Sequence, residues 1–110
     1  LTLRSCSNEQ LELEMPWRDE IVSNPAIGSA HGGVLASLID LTGLYTLLSQ
    51  GTGAKATADL RVDYHRPATS GPLVASGKII KIGKNISVAE TRVYGPTGNL
   101  LASGRGAYVC

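Results

Sequence analysis

The spacing of apolar positions changes along this chain, and each change marks an element. In residues 1–15, Leu1, Leu3, Leu11, Leu13 and Met15 alternate with polar neighbours, the period of a strand with one buried face. Ser7-Asn8-Glu9 between the two runs is turn chemistry, so the segment reads as a hairpin closed by Pro16. Residues 17–29 show no period, and Asn24-Pro25 and Gly28 mark them as irregular loop. Across residues 34–48 the apolar positions are 34, 35, 38, 39, 41, 44, 45, 47 and 48, which predicts a helix. Apolar over nearly its whole circumference, that helix is expected to be buried on more than one side. Gly51-Thr52-Gly53 stops it. Beyond, Ala58, Leu60, Val62 and Tyr64 alternate with Thr57, Asp59, Arg61, Asp63 and His65, a period of two that Arg66-Pro67-Ala68 ends. Residues 73–82, 86–94 and 100–109 follow as strands, with turns at 83–85 and 95–99. Two strands, one long helix and three or four further strands predict an α+β fold in which an antiparallel sheet curls around the helix.

Composition narrows the picture. The 110 residues are 43% hydrophobic with a net charge of +1, which excludes disorder. Residues 1–110 are expected to form one domain, with room for a further segment ahead of Leu1. The near-neutral balance leaves no electrostatic footprint for nucleic acid or an anionic membrane. Ser37, Asp40, Thr42 and Thr46 interrupt the most apolar stretch, so no unbroken run reaches the ~18 residues of a span. Charged residues are only 17%, against roughly 25% in an average soluble domain. That deficit suggests that a second copy of the chain covers part of the exterior. Cys6 and Cys110 have no CxxC or metal-ligand spacing, and His31 and His65 are far apart in sequence. Free thiols in a reducing cytoplasm and no metal site are expected.

One stretch carries chemistry. His31-Gly32-Gly33 opens the predicted helix, leaving backbone N–H groups uncovered at its positive end, a place to hold developing negative charge on an oxygen. Taken alone, two glycines could equally do no more than permit a tight turn. Asp40 follows nine residues after His31, and its neighbours three and four positions away are Ala36, Ser37, Gly43 and Leu44. A carboxylate among small residues on an apolar helix is expected in a shallow recess, where it is costly unless paired or used.

Residues 31–40, followed by 58–68 with their Tyr64-His65-Arg66-Pro67-Ala68 pattern, resemble the PaaI-type acyl-CoA thioesterases of the 4-hydroxybenzoyl-CoA thioesterase superfamily. The similarity runs from the first hairpin to Ala102-Ser103-Gly104 and implies the hotdog fold. It also implies edge-to-edge homodimers, which often pair again into tetramers. On this resemblance Asp40 is the acidic catalytic residue, as general base on water or as nucleophile. The Gly32 N–H donates to the thioester carbonyl, and the Thr57 hydroxyl positions the water or the carboxylate. Asn24 resembles the asparagine ahead of the glycine pair, and His31 is assigned to orienting the turn rather than to acting as a base. Gly33, Tyr64 and His65 fall among substrate-binding residues. Arg66, Lys81 and Lys84 are candidates for the phosphates of coenzyme A, with the Gly83 turn allowing close approach. Coenzyme A is part of the substrate, and no separate cofactor is implied.

The helix start and Asp40 are ~13 Å apart at a rise of ~1.5 Å per residue, too far to meet at one carbonyl. A complete site therefore calls for Gly32 from one protomer and Asp40 from another. Leu35, Ile39 and Leu44 are expected to wall the acyl pocket. The alternatives are a non-catalytic acyl-CoA-binding module, against which Asp40 argues, a purely structural oligomer, and a hydroxyacyl dehydratase. The last places its histidine in a proline-rich setting that residues 29–33 lack.

Overall fold

The computed structural model describes residues 1–110, the side chain of Asn24 excepted. The hairpin forms from β1 (Thr2–Ser7) and β2 (Gln10–Met15), with Glu9 at φ 69° in its tight turn. A single helix, α1, spans Gly32–Ser49, and four long strands follow it: β5 (Ala56–Tyr64), β6 (Leu73–Lys81), β7 (Ile86–Tyr94) and β8 (Leu100–Val109). The stretch expected to be irregular contains a 3-10 turn at Asp19–Ile21 and a two-stranded ladder of β3 (Val22–Asn24) with β4 (Ser29–Ala30). Two short strands around a turn at Asn24-Pro25 and Gly28 (φ 64°) are too brief to display a period. This ladder ties the chain ahead of α1: the His31 N–H donates to the Ile21 carbonyl at 2.7 Å, and the Ala30 N–H to that of Ala68 at 2.8 Å.

The main sheet is antiparallel in the order β1-β2-β6-β7-β8-β5, and α1 packs chiefly on β6, β7 and β8. This is the hotdog arrangement, with β1 and β5 as its edges. Leu35, Leu38 and Ile39 meet Leu73, Ala75, Val93 and Ala102 at one end of the helix; Leu47 meets Ile79, Ala89 and Tyr108 at the other. Between them Thr42 and Thr46 are fully buried, their hydroxyls donating to the carbonyls of Leu38 (2.6 Å) and Thr42 (2.7 Å). Satisfied within the helix, these hydroxyls carry no unpaired-polar penalty.

Within one chain the helix is covered on one side only, contrary to the expectation from its all-round apolarity. Tyr45 and Leu48 are 43% and 40% exposed, and Val34, Leu41 and Leu44 are half-buried. A single sheet layer can contact only one flank of a helix, so the opposite apolar flank stays open.

A second departure concerns β5. Strict alternation groups Thr57 with Asp59, Arg61 and Asp63. The pairing of β5 with β8 slips instead: Thr57 faces Tyr108, Asp59 faces Ala107, and Ala58 is the extra residue of a bulge. Bulges re-aim side chains, and this one turns Thr57 to the helix side while Asp59, Arg61 and Asp63 stay exposed on the outer face. There Arg61 pairs with Asp63 at 3.6 Å, a solvent-exposed contact of little energetic weight.

Gly77 on β6 marks the closest approach of helix and sheet. A Cβ there would collide with the Thr46 hydroxyl and stand 3.1 Å from Thr42 Cγ2. Gly77→Ala is expected to destabilise the fold by ~1–3 kcal/mol through overpacking, read as a lower urea midpoint. An unchanged midpoint would show that the helix is free to shift.

Candidate functional site

The start of α1 presents a backbone amide at the positive end of the helix dipole. His31 has extended backbone (φ −62°, ψ 131°) and caps the helix with its side chain, Nδ1 accepting from the Gly33 N–H at 2.8 Å. That bond leaves the proton of a neutral ring on Nε2 and engages the Gly33 amide. The Val34 N–H bonds the His31 carbonyl at 2.9 Å. Among the described residues, the Gly32 N–H is left without an acceptor, at the positive end of the helix dipole. Tyr64, at the end of β5, donates its hydroxyl to the Gly32 carbonyl at 2.7 Å, and its ring leaves little room above Gly32: a Cβ there would lie 3.3 Å from Tyr64 Cζ. Gly32 is thus held through its carbonyl, while no acceptor among the described residues takes its N–H. Gly32, Tyr64, His65 and Arg66 line one small pocket of about 300 Å³. His65 is also tied to the neighbouring strand, its Nε2 2.8 Å from Ser103 Oγ.

Two turns further along, Asp40 is half-buried and its carboxylate is gripped from the sheet. The Thr57 hydroxyl donates to Oδ1 at 2.6 Å, a charge-assisted bond that orients the carboxylate and occupies one of its two oxygens. Ser37, one turn before Asp40, spends its hydroxyl on the Gly33 carbonyl at 2.8 Å.

The residues singled out from the sequence therefore form two groups within one chain. His31, Gly32, Gly33, Tyr64, His65 and Arg66 gather at the helix start. Asp40 and Thr57 meet near the opposite end of β5. Lys81, Gly83 and Lys84 belong to this second end, because their turn is tied to the strand ends there: the Cys110 N–H bonds the Asn85 carbonyl at 2.9 Å, and Val109 faces both Ile86 and Ala56. The Asn24 side chain lies outside the described residues. Cys6 and Cys110 are free thiols. Among the described residues, no three His, Cys, Asp or Glu side chains converge as a metal-binding group.

A larger groove of about 760 Å³ begins beside His31 and Gly33 and is lined by Met15, Ile21, Val22, Val34, Leu38 and Leu41. Leu35, Ile39 and Leu44, expected to wall an acyl pocket together with segments of a partner, do not line this groove. Ile39 is 1% exposed in the core, Leu35 reaches only the small pocket, and Leu44 packs on the second core cluster.

Sequence reasoning missed Tyr108. It is fully buried under the helix, and its hydroxyl donates to the Asp40 backbone carbonyl at 2.8 Å. Burial first, and the nearby Asp40 charge second, push its phenol well above the usual tyrosine range, so it remains a donor. The available signal was the inward-facing row Ala102, Gly104, Gly106 and Tyr108, in which two glycines precede one large aromatic.

Comparison with known proteins gives the family and supports the fold. The family model described as the thioesterase superfamily matches residues 27–102. Acyl-coenzyme A thioesterase 13 of Homo sapiens is 32% identical over 108 residues, covering 96% of this chain and 76% of that protein. A solved structure of a thioesterase superfamily protein superposes with a TM-score of 0.93 at 41% identity, covering 98% of this chain and 82% of the other. The E. coli PaaI protein from the phenylacetic acid degradation operon superposes with a TM-score of 0.88 at 26% identity, covering 99% and 82%.

The cap gives a direct test of His31. His31→Ala should lower stability by ~0.5–2 kcal/mol through loss of the cap, whereas His31→Asn, which can accept the same bond, should retain stability and turnover. Loss of turnover in a stable His31→Asn chain would instead make the imidazole itself part of the chemistry.

Proposed function

The chain belongs to the thioesterase superfamily and is a thioester hydrolase, and from that premise we propose that it cleaves acyl-CoA to a carboxylic acid and free coenzyme A at a site shared by two copies of the chain. The observation that carries this reading is the placement of Gly32 and Asp40 at opposite ends of one edge strand. Strand β5 pairs only with β8, so its other edge is open. Gly32 is bonded to Tyr64 at the end of β5, and Asp40 to Thr57 near its start. A two-fold axis through the middle of β5 reverses the strand direction. It sets the Gly32–Tyr64 end of one protomer across from the Asp40–Thr57 end of its partner.

In that arrangement the thioester oxygen accepts from the Gly32 N–H. One preorganised donor of this kind contributes ~3 kcal/mol or more to the transition state. Asp40 of the partner subunit, its Oδ1 held by Thr57, uses Oδ2 on water as general base, or attacks the carbonyl carbon itself. As base, Asp40 takes a proton from water while the water oxygen bonds the acyl carbon, the C–S bond breaks and the proton passes to the departing thiolate. As nucleophile, Asp40 displaces the thiolate to give an acyl anhydride. Water then hydrolyses the anhydride, freeing the carboxylic acid and restoring the carboxylate, while a water proton goes to the thiolate. Arg66 from one protomer and Lys81 and Lys84 from the other come to the same end of the shared site, where the phosphates of coenzyme A need cations. The apolar groove beside His31 and Gly33 is the natural place for the acyl chain. His31 favours hydrolysis over a dehydratase reading, because its Nδ1 is committed to the helix cap.

Thiol release from an acyl-CoA panel tests the chemistry: Asp40→Asn should lower the rate by at least ~100-fold, as expected for loss of a positioned base. The shared site is tested by mixing. Gly32→Pro removes the donor while keeping a residue favoured at the first helical position. Unfolded and refolded together in equal amounts, inactive Gly32→Pro and Asp40→Asn chains should recover about a quarter of the wild-type rate, since half the dimers carry one intact site of two. No recovery would place the whole site within one chain.

A further inference from the structure

Asp40 is held at two points, and both come from one cross-strand pair. Thr57 on β5 and Tyr108 on β8 are direct partners in the ladder. Directly opposed residues share a face, so both side chains rise toward the helix. Thr57 bonds the Asp40 carboxylate, and Tyr108 bonds the same residue's backbone carbonyl. We propose that Tyr108 is a positioning residue for hydrolysis, fixing the helix turn that carries Asp40 so that the Thr57–Tyr108 pair acts as a single clamp on the acid. The proposal rests on the reading of Asp40 as general base or nucleophile.

The packing around Tyr108 is arranged for this bond. Its ring lies in a slot between two glycines: a Cβ at Gly43, on the helix turn after Asp40, would stand 3.0 Å from Tyr108 Cζ, and a Cβ at Gly106 would stand 2.6 Å from the same atom. Any side chain at either position would displace the ring and its hydroxyl. At 0% exposure Tyr108 does not touch a substrate, so it acts on turnover through Asp40 or through the packing of the fold. Thr57 orients the carboxylate about its side-chain torsions, and the Tyr108 hydroxyl adds a hold on the backbone of the same residue, next to the Thr91 hydroxyl that donates to the Ile39 carbonyl at 3.4 Å. A phenylalanine would fill the same slot without the bond.

The test is a double-mutant cycle on acyl-CoA hydrolysis, with rates taken per folded chain. Tyr108→Phe should lower kcat about tenfold and leave KM within about twofold, as a small misplacement of a reacting group does. In an Asp40→Asn background the same change should cost nothing further. Leu73→Val, a core change in the other cluster, supplies the stability control: it should lower the melting temperature with kcat unchanged. Wild-type kcat in Tyr108→Phe, alongside an impaired Asp40→Asn, would remove Tyr108 and leave the role of Asp40 standing. An equal loss in both backgrounds, or a fall of kcat in Leu73→Val that tracks its stability, would reduce Tyr108 to ordinary packing. A fully active Asp40→Asn would overturn the underlying reading instead.

Discussion

A carboxylate in the middle of an apolar helix has to be held, and the rest of this structure follows from how that is done. Asp40 is half-buried, so it keeps some hydration, yet its helix offers it no basic neighbour. Compensation comes from the sheet, through the Thr57 hydroxyl at 2.6 Å. Strand β5 can supply that hydroxyl only because of its bulge at Ala58. Without the extra residue, Thr57 would share the outer face with Asp59, Arg61 and Asp63, and the helix face would present an alanine to the carboxylate. A local irregularity in an edge strand thus decides whether the acid on the helix has a partner.

The elements were legible in the sequence because each has a strong period. The hairpin, the long helix and the three strands of the meander are read from spacing alone, and turn residues bound them closely. The site was legible in part. His31-Gly32-Gly33 and Asp40 announce themselves because glycines at a helix start and an acid among apolar residues both break the local rule. The bulge was hidden: one inserted residue leaves the apolar and polar alternation of residues 58–65 intact and changes only the side on which Thr57 emerges. Tyr108 was hidden for another reason. An aromatic residue in a strand is ordinary, and its meaning comes from Gly43, far away in sequence, which makes the slot its ring enters. Likewise, the wall of the apolar groove depends on which flank of an evenly apolar helix meets the sheet, and even apolarity does not mark a flank.

That evenness has a structural sense of its own. A helix needing only one buried side would carry charges on the other, and this one carries Tyr45, Leu48, Leu41 and Val34 there, with a groove of about 760 Å³ beside them. The proposed function places an acyl chain on this open flank, where apolar surface is required. The low proportion of charged residues, 17%, is consistent with surface of this kind.

The open edge of β5 completes the picture. A nine-residue open strand edge is an invitation to uncontrolled pairing, and proteins blunt such edges with bulges and charges. Strand β5 carries both: the bulge at Ala58, and Asp59, Arg61 and Asp63 on its outer face. These features do not block a symmetric partner, since a two-fold axis presents the same acidic and basic residues in reverse order and lets opposite charges meet. They select against a partner in the wrong register, for which like charges would be opposed. On the proposed shared site, in which β5 brings the Gly32 of one chain to the Asp40 of another, a shift of two residues would move the donor ~7 Å along the strand away from its acid. On that proposal edge protection and catalytic alignment become the same requirement, and the bulge that orients Thr57 serves both.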